Sequence, residues 1–287
     1  MSTAGHDHRA LHRRRGKPIA FLNVLVGSPK LTIAIVVLLL LATSRWMLPL
    51  PFDPIKPNAG ASLQLPSLLH LFGTDRFGFD LFSRTVAAGS RDIPLALFGT
   101  ILSIAIGVPL GLLSITRGRI GELIMRGLDA FQAFPLLVLA VAVVALTGNR
   151  VENIVLAIAI INVPRFMRLV RAQGLSIRES RFVEAARVYG ATWMRILGYH
   201  ILPNVTGVII AQASLTAAHS IVVIAALSFL GIGISPPAAS WGSMIQSGAQ
   251  NMSTGQWWVV FFPGLFVFAT VACLNVVAEA ADRRFAR

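Results

Sequence analysis

The residues with the most chemistry to offer lie together between Ser176 and Asn204, in the stretch SIRESRFVEAARVYGATWMRILGYHILPN. It is the longest charged interruption in the second half of an otherwise apolar sequence. Ser176 and Glu179 stand three apart, the spacing of a capping box whose two side chains satisfy N–H groups of a first helical turn, and so predict a helix start. Phe182, Ala185, Ala186 and Tyr189 recur at i, i+3, i+4 and i+7 and share one face of that helix. Glu184 stands three residues from both Arg181 and Arg187, within reach of an ion pair. Gly190 sits where a C′ glycine closes a helix. Thr192 then caps a second helix, from Trp193 to about His200, that ends before Pro203. The two alanines let another backbone approach closely, while Phe182 and Tyr189 are bulky enough to fill a groove. This is the chemistry of contact: a surface for another protein, or an amphipathic helix lying on lipid headgroups. Periodicity supports the two equally.

Bond-making chemistry has no comparable cluster. The phosphate-cradling pattern G-x-x-x-x-G-K-[ST] is missing, so the chain is not expected to hydrolyse ATP itself. No H-E-x-x-H or paired Cys/His cluster occurs, and His6, His8 and His12 read as solvated members of a basic tail. His219 lies in an apolar run without a glycine-framed serine nucleophile and reads as a helix-packing residue rather than part of a membrane hydrolase. The single cysteine, Cys273, excludes an intrachain disulfide.

These residues must be positioned by elements built for lipid. The 287 residues are 55% hydrophobic and 13% charged, against about 25% charged in a soluble domain, and the mean hydropathy is +0.72. A net charge of +13 invites a nucleic-acid reading. The basic residues are scattered among apolar runs instead of covering a polar domain, so no nucleic-acid partner is expected. A helix needs about 20 apolar residues to cross the hydrocarbon core. Six candidates appear: about Leu31–Leu50, Leu95–Ile115, Ala130–Leu146, Ile154–Met167, Val205–Phe229 and Trp258–Ala278. Arg45 near the end of the first could snorkel. Repeated ten-residue alternation, the mark of a barrel, is absent. The expected fold is therefore an all-α integral membrane protein.

With the N-terminus inside, 19 Lys and Arg fall on inner segments and 6 (Arg45, Lys56, Arg76, Arg84, Arg91, Arg150) on outer ones. The positive-inside rule then places both termini and Ser176–Asn204 in the cytoplasm. The basic stretch before the first span could mark a cleaved signal. Five further spans follow, and an uncleaved first helix is the expectation. The outer segment from Pro51 to Asp92 carries Gly73, Gly78, Asp75 and Asp80 and reads as compact and turn-rich. The span centres are nearly free of charge, with Asp129 and Glu279 at inner ends, which argues against a proton-coupled carrier. Pro109, Pro135, Pro164 and Pro263 interrupt the helices. They fit bent helices lining a path and ordinary kinked packing equally, and the latter also suits the Gly107-x-x-x-Gly111 pair.

Four ordered blocks carry a family resemblance. They are HLFGTDRFGFDLFSR (His70–Arg84), PRFMRLVRAQGLSIRES (Pro164–Ser180), EAARVYGATWMRILGYHILPN (Glu184–Asn204), and LSFLGIGISPPAASWGSMI with WWVVFFPGLFVFATVACLNVVAEAADRR (Leu227–Ile245, Trp257–Arg284). The third resembles the EAA motif of ATP-binding cassette importer permeases, in its dipeptide/oligopeptide/nickel (DppC/OppC-like) form. The resemblance implies a type I importer permease of six spans, with residues 1–30 and 283–287 as cytoplasmic tails, 31–92 as first span plus outer loop, and 93–282 as permease core. It implies that Glu184, Ala185, Ala186 and Gly190, with Phe182 and Tyr189, form a coupling helix docked on an ATPase subunit. Its partners would be two such subunits that bind ATP and Mg, a second permease chain, an extracytoplasmic binding protein and the bacterial inner membrane. The chain itself would bind no cofactor and no metal, and would not be an enzyme. Di- or oligopeptides are the implied cargo, with nickel chelates, glutathione or opines as alternatives in the same class. An ion channel or secondary carrier is the alternative of a different class. One departure stands out: Ile161-Asn162-Val163 occupies the place of a frequent aromatic residue before the arginine-rich approach, which weakens any assignment of substrate contacts there.

Overall fold

The computed structural model describes residues 28–116, 119–234 and 237–285. The expectations for the N-terminal basic residues and histidines, the signal region before Ser28, Arg117 and Arg287 lie outside them. Ten α-helices follow in order: α1 (Pro29–Met47), α2 (Leu81–Leu113), α3 (Arg119–Gln132), α4 (Leu136–Thr147), α5 (Val151–Arg178), α6 (Arg181–Val188), α7 (Trp193–Ile196), α8 (Leu202–Phe229), α9 (Trp241–Ala249) and α10 (Trp258–Phe285). A π turn at Leu197–Ile201 welds α7 to α8, so that one apolar run extends from Trp193 to Phe229. Among the described residues, five helical runs are each long and apolar enough to cross a membrane: α1, α2, α5, the α7–α8 run and α10.

The third expected span is different. α3 and α4 meet at an 88° bend, with Pro135 as the residue preceding α4. Pro135 lacks an N–H and disfavours helical geometry before it, so the chain turns where a continuous helix was expected. α4 has 12 residues, about 18 Å of helix, less than a bilayer core. Its composition is almost entirely apolar, whereas α3 alternates charged and apolar faces; taken together the bent pair is long and apolar enough to be the sixth span, in broken form.

Two other spans were set too short. α2 starts at Leu81, where the Asp80 carboxylate accepts the Ser83 N–H at 2.8 Å as an N-cap. Arg84, Arg91 and Asp92, read as loop residues, are therefore helical. α5 continues through its arginines to Arg178. Arg171 donates to the carbonyls of Ser114 and Gly121, and Arg178 to that of Ile115 at 2.9 Å. Carbonyls at a helix C-terminus lack intrahelical donors, and these two arginines supply them to the end of α2. The charge that suggested a helix end instead fastens two helices together.

α2 and α5 form the central pair. Gly99, Ser103, Gly107 and Gly111 recur every fourth residue along α2 and face α5. A Cβ on Gly99 would lie 2.5 Å from Ile158 Cγ2, and one on Gly107 would lie 2.8 Å from the Val163 carbonyl. Ser103 Oγ bridges to the Ala159 carbonyl at 3.2 Å. Small residues permit this approach, and dispersion and weak polar contacts then hold the helices without help from water exclusion. Close packing is what Gly107 and Gly111 serve. Pro109 and Pro164 lie inside continuous helices.

Among the described residues two large apolar cores and a small third cluster (Leu81, Met244, Trp258, Val259) form. One large core gathers Ile93, Ile154, Ile158, Ile221, Ile224, Leu227 and the fully buried Trp241. The other gathers Val108, Ile115, Phe166, Val170, Val183, Ile196, Leu197 and Ile201.

Candidate functional site

The second core carries the segment with the recognition chemistry. Ser176 and Glu179 do not start a helix: α5 runs on through Arg178, and Glu179 caps its C-terminus. α6 begins at Arg181 after Ser180, whose side chain bonds back to the Ile177 carbonyl at 2.6 Å. The capping-box spacing is coincidental because both residues are claimed by the last turn of α5. Gly190 does close α6, with φ +79°. Ala191 N–H reaches the Ala186 carbonyl and Gly190 N–H that of Arg187, both at 2.9 Å. This is the paired bonding of a Schellman turn, and its C′ position calls for positive φ. Thr192 precedes α7 as expected. The second helix does not end before Pro203: Leu202 N–H bonds back to the Leu197 carbonyl, and the π turn places Pro203 in the first turn of α8, where its missing N–H is tolerated.

α6 is held from one side only. Val183 is fully buried against the second core, where Ala191 and Trp193 also pack. Arg187 lies over the Trp193 ring at 5.3 Å instead of pairing with Glu184, and no ion pair joins Glu184 to Arg181 or Arg187 among the described residues. Phe182, Glu184, Ala185, Val188, Tyr189 and Gly190 are exposed, and Ala186 is half-buried. Tyr189 is 90% exposed and Val188 82%. A Cβ on Gly190 would meet nothing within 4 Å. Five of the six sequence-selected residues are thus exposed on α6 and its closing turn, Ala186 being half-covered, and the Glu184 carboxylate has no ion-pair partner among the described residues. Met194 and Tyr199 are exposed as well.

The opposite end is extensively cross-linked by buried polar side chains, and sequence reasoning missed it. Asp92 Oδ2 accepts the Trp241 backbone N–H at 3.0 Å and the Ser240 hydroxyl at 3.2 Å. Trp241 Nε1 donates to the Thr85 carbonyl at 2.8 Å. Arg84 donates to the carbonyls of Pro54 and Pro237 and lies 3.9 Å above the Phe79 ring. In the segment before α2, the buried His70 Nδ1 and Asp80 Oδ1 stand 2.8 Å apart. Asp75 Oδ1 accepts the N–H groups of Phe77 and Phe79. Burial pushes the Asp75 carboxyl above its ordinary value, against the lowering influence of those N–H bonds. The turn-rich reading of this segment holds. The unread signal was Asp92 itself, an acid embedded in an apolar run and matched by a lone tryptophan in the uncharged stretch after Phe229.

The span centres are also less bare than expected. Arg165 lies well inside α5, one turn beyond the buried Asn162 whose Nδ2 approaches Ser220 Oγ of α8 at 3.4 Å.

A bundle of this kind, with a one-sided helix hung from its base, is the architecture of an importer permease. Residues 103–287 match the family described as binding-protein-dependent transport system inner membrane component, and the chain belongs to that family. The probable D,D-dipeptide transport system permease of Escherichia coli K12 is 36% identical over 261 residues, 89% of this chain and 87% of that relative. The dipeptide permease of Alkalihalophilus pseudofirmus is 40% identical, covering 77% of this chain and 73% of its own. The glutathione permease of an E. coli O6:K15:H31 strain is 37% identical, covering 87% and 83%. Among solved structures, an inward-facing form of the MetNI methionine ABC transporter matches with TM-score 0.62 at 19% identity, covering 72% of this chain and 98% of that one. The fold is that of a type I ABC importer permease.

Proposed function

We propose that this inner-membrane transport component moves di- or oligopeptides inward, driven by ATP hydrolysis in separate subunits that dock on the exposed face of α6. The observation that carries the reading is the exposure of Phe182, Glu184, Ala185, Tyr189 and Gly190 on a helix whose one fully buried side chain is Val183. Aromatic and aliphatic side chains left bare beside a charged rim are the usual signature of a protein partner. The names of the dipeptide relatives support a peptide cargo, and the glutathione permease shows a neighbouring specificity within the same range of identity.

In this mechanism two ATPase subunits bind ATP and Mg, close on each other and move the α6 helices of two permease chains. Through the Arg171 and Arg178 contacts to the end of α2, that movement reaches the spans. A second, related permease chain completes the path, and an extracytoplasmic binding protein delivers cargo to the Trp241 end. In this reading both termini and α6 lie in the cytoplasm, a placement supported by the excess of Lys and Arg on the inner segments, and residues 93–282 form the permease core. The chain performs no bond chemistry of its own.

The test is uptake of a labelled dipeptide into proteoliposomes holding the full complex and its binding protein. Uptake should require ATP and every subunit. Uptake that survives removal of the ATPase subunits would sink the proposal in favour of a channel or secondary carrier.

A further inference from the structure

Arg45 lies in the last turn of α1, beside Trp46, which is 74% exposed. A tryptophan left bare at the end of an apolar span marks the depth of lipid headgroups. Arg91 of α2 is half-buried, and both arginines line one cavity of about 420 Å³ together with Pro54, Ser90 and Pro237. A cavity of that size suits a small ligand or the head of a larger one.

Its walls are fixed by bonds already made. The buried Ser44 Oγ donates to the Val86 carbonyl at 2.8 Å, and a Cβ on Gly89 would lie 2.9 Å from the Leu41 carbonyl, so α1 and α2 are clamped beside the two arginines. Arg84 donates to the carbonyls of Pro54 and Pro237 and ties the two loop walls together. Within this frame Arg45 and Arg91 are spare: neither donates a hydrogen bond nor joins an ion pair among the described residues. The acids nearest them in sequence are engaged elsewhere. Asp92 accepts from Ser240 and Trp241, and Asp53 pairs with Lys56 at 3.7 Å. A guanidinium keeps its charge, and its planar fork matches a phosphate bidentately. Two of them lining one cavity call for an anion.

The rest of α1 indicates which kind. Leu38 and Leu39 stand seven residues before Arg45 and Trp46, on the same face and about 10 Å further into the span. They line an apolar groove of about 310 Å³ with Leu97 and Ile101 of α2 and Leu274 of α10. The groove reaches Ile35, about 15 Å along the helix from Arg45, half of a hydrocarbon layer about 30 Å thick. A cationic cavity at headgroup depth, with an apolar groove one leaflet deep on the same helix face, fits a phosphate esterified to a lipid better than a free anion.

We propose that Arg45 and Arg91 hold the phosphodiester of an anionic phospholipid, one of whose acyl chains lies in the groove of Leu38, Leu39, Leu97 and Ile101. The site depends neither on the cargo nor on the import reading.

The test titrates the detergent-purified complex of the permease and its partner subunits with dioleoyl phosphatidylglycerol, read by native mass spectrometry. Arg45→Gln and Arg91→Gln should each weaken retention of one lipid about tenfold, as loss of a charge-assisted bond requires, and Arg91→Lys should keep most of it. The unfolding midpoint in lipid-free detergent should not move, because neither guanidinium bonds to the protein. Were a glutamine variant to fail to assemble, Leu39→Trp at an exposed groove position should lower the affinity while both charges remain. Wild-type retention in the Arg45→Gln/Arg91→Gln double variant would overturn the proposal. Displacement of the lipid by inorganic phosphate at equal concentration would reveal a free-anion site and overturn the lipid assignment. Unchanged lipid retention with weakened capture of the extracytoplasmic binding protein would give the arginines a protein partner instead, and would overturn it too.

Discussion

The Trp241 end and the α6 end of the bundle use similar side chains to opposite purposes. At the first, Asp92, Trp241, Arg84 and His70 are turned inward and bonded to other parts of the chain, with Asp92 Oδ1 and Arg84 Nε left without a partner. At the second, Glu184 and Tyr189 are turned outward, and Phe182 is half exposed with its ring 6.3 Å from that of His200. An end that satisfies its own groups can fold alone. One that leaves aromatic residues and a carboxylate bare is complete only in an assembly. The difference separates residues that determine whether the chain folds from residues that determine what it joins.

Substitutions should divide along that line when thermal unfolding of the detergent-purified chain is compared with assembly. The largest effect belongs to Trp241→Ala, which empties a buried site and removes the indole N–H bond to the Thr85 carbonyl; a loss of about 3–5 kcal/mol is expected. Gly107→Ala comes next, because its Cβ would press on the Val163 backbone 2.8 Å away; separating α2 from α5 should cost about 1–3 kcal/mol. At Gly190→Ala no neighbour is touched, so only the left-handed backbone is strained, by about 1–2 kcal/mol, and the midpoint should move less than for Gly107→Ala. Tyr189→Ser should leave chain stability within about 0.5 kcal/mol, as at other exposed sites. If Tyr189→Ser destabilised the isolated chain as much as Trp241→Ala, the contrast between the two ends would collapse.

The sequence conveyed the fold class and most of the candidate patch, because lipid demands long apolar runs and because Phe182, Ala185, Ala186 and Tyr189 keep helical spacing within a short polar island. Gly190 was legible for the same reason: a glycine at the end of an amphipathic turn has few other uses. What stayed hidden depends on partners distant in sequence. Arg171 and Arg178 read as loop charges because the carbonyls they serve belong to α2, and Asp92 read as a loop end because its acceptor role needs Trp241. The 88° bend between α3 and α4 escaped because a window average cannot distinguish an amphipathic helix beside a short apolar one from a single span. Glu184 was expected to pair with arginine on its own helix; Arg187 prefers the Trp193 ring, which local spacing cannot foretell.

The central claim is that the exposed face of α6 docks an ATPase subunit. The most direct measurement is co-purification of that subunit with the permease carrying Phe182→Ser and Tyr189→Ser together, with thermal unfolding of the isolated permease run in parallel. The account predicts an unchanged unfolding midpoint and loss of the ATPase subunit from the complex. Retention of that subunit at wild-type stoichiometry, with ATP-driven uptake intact, would contradict it.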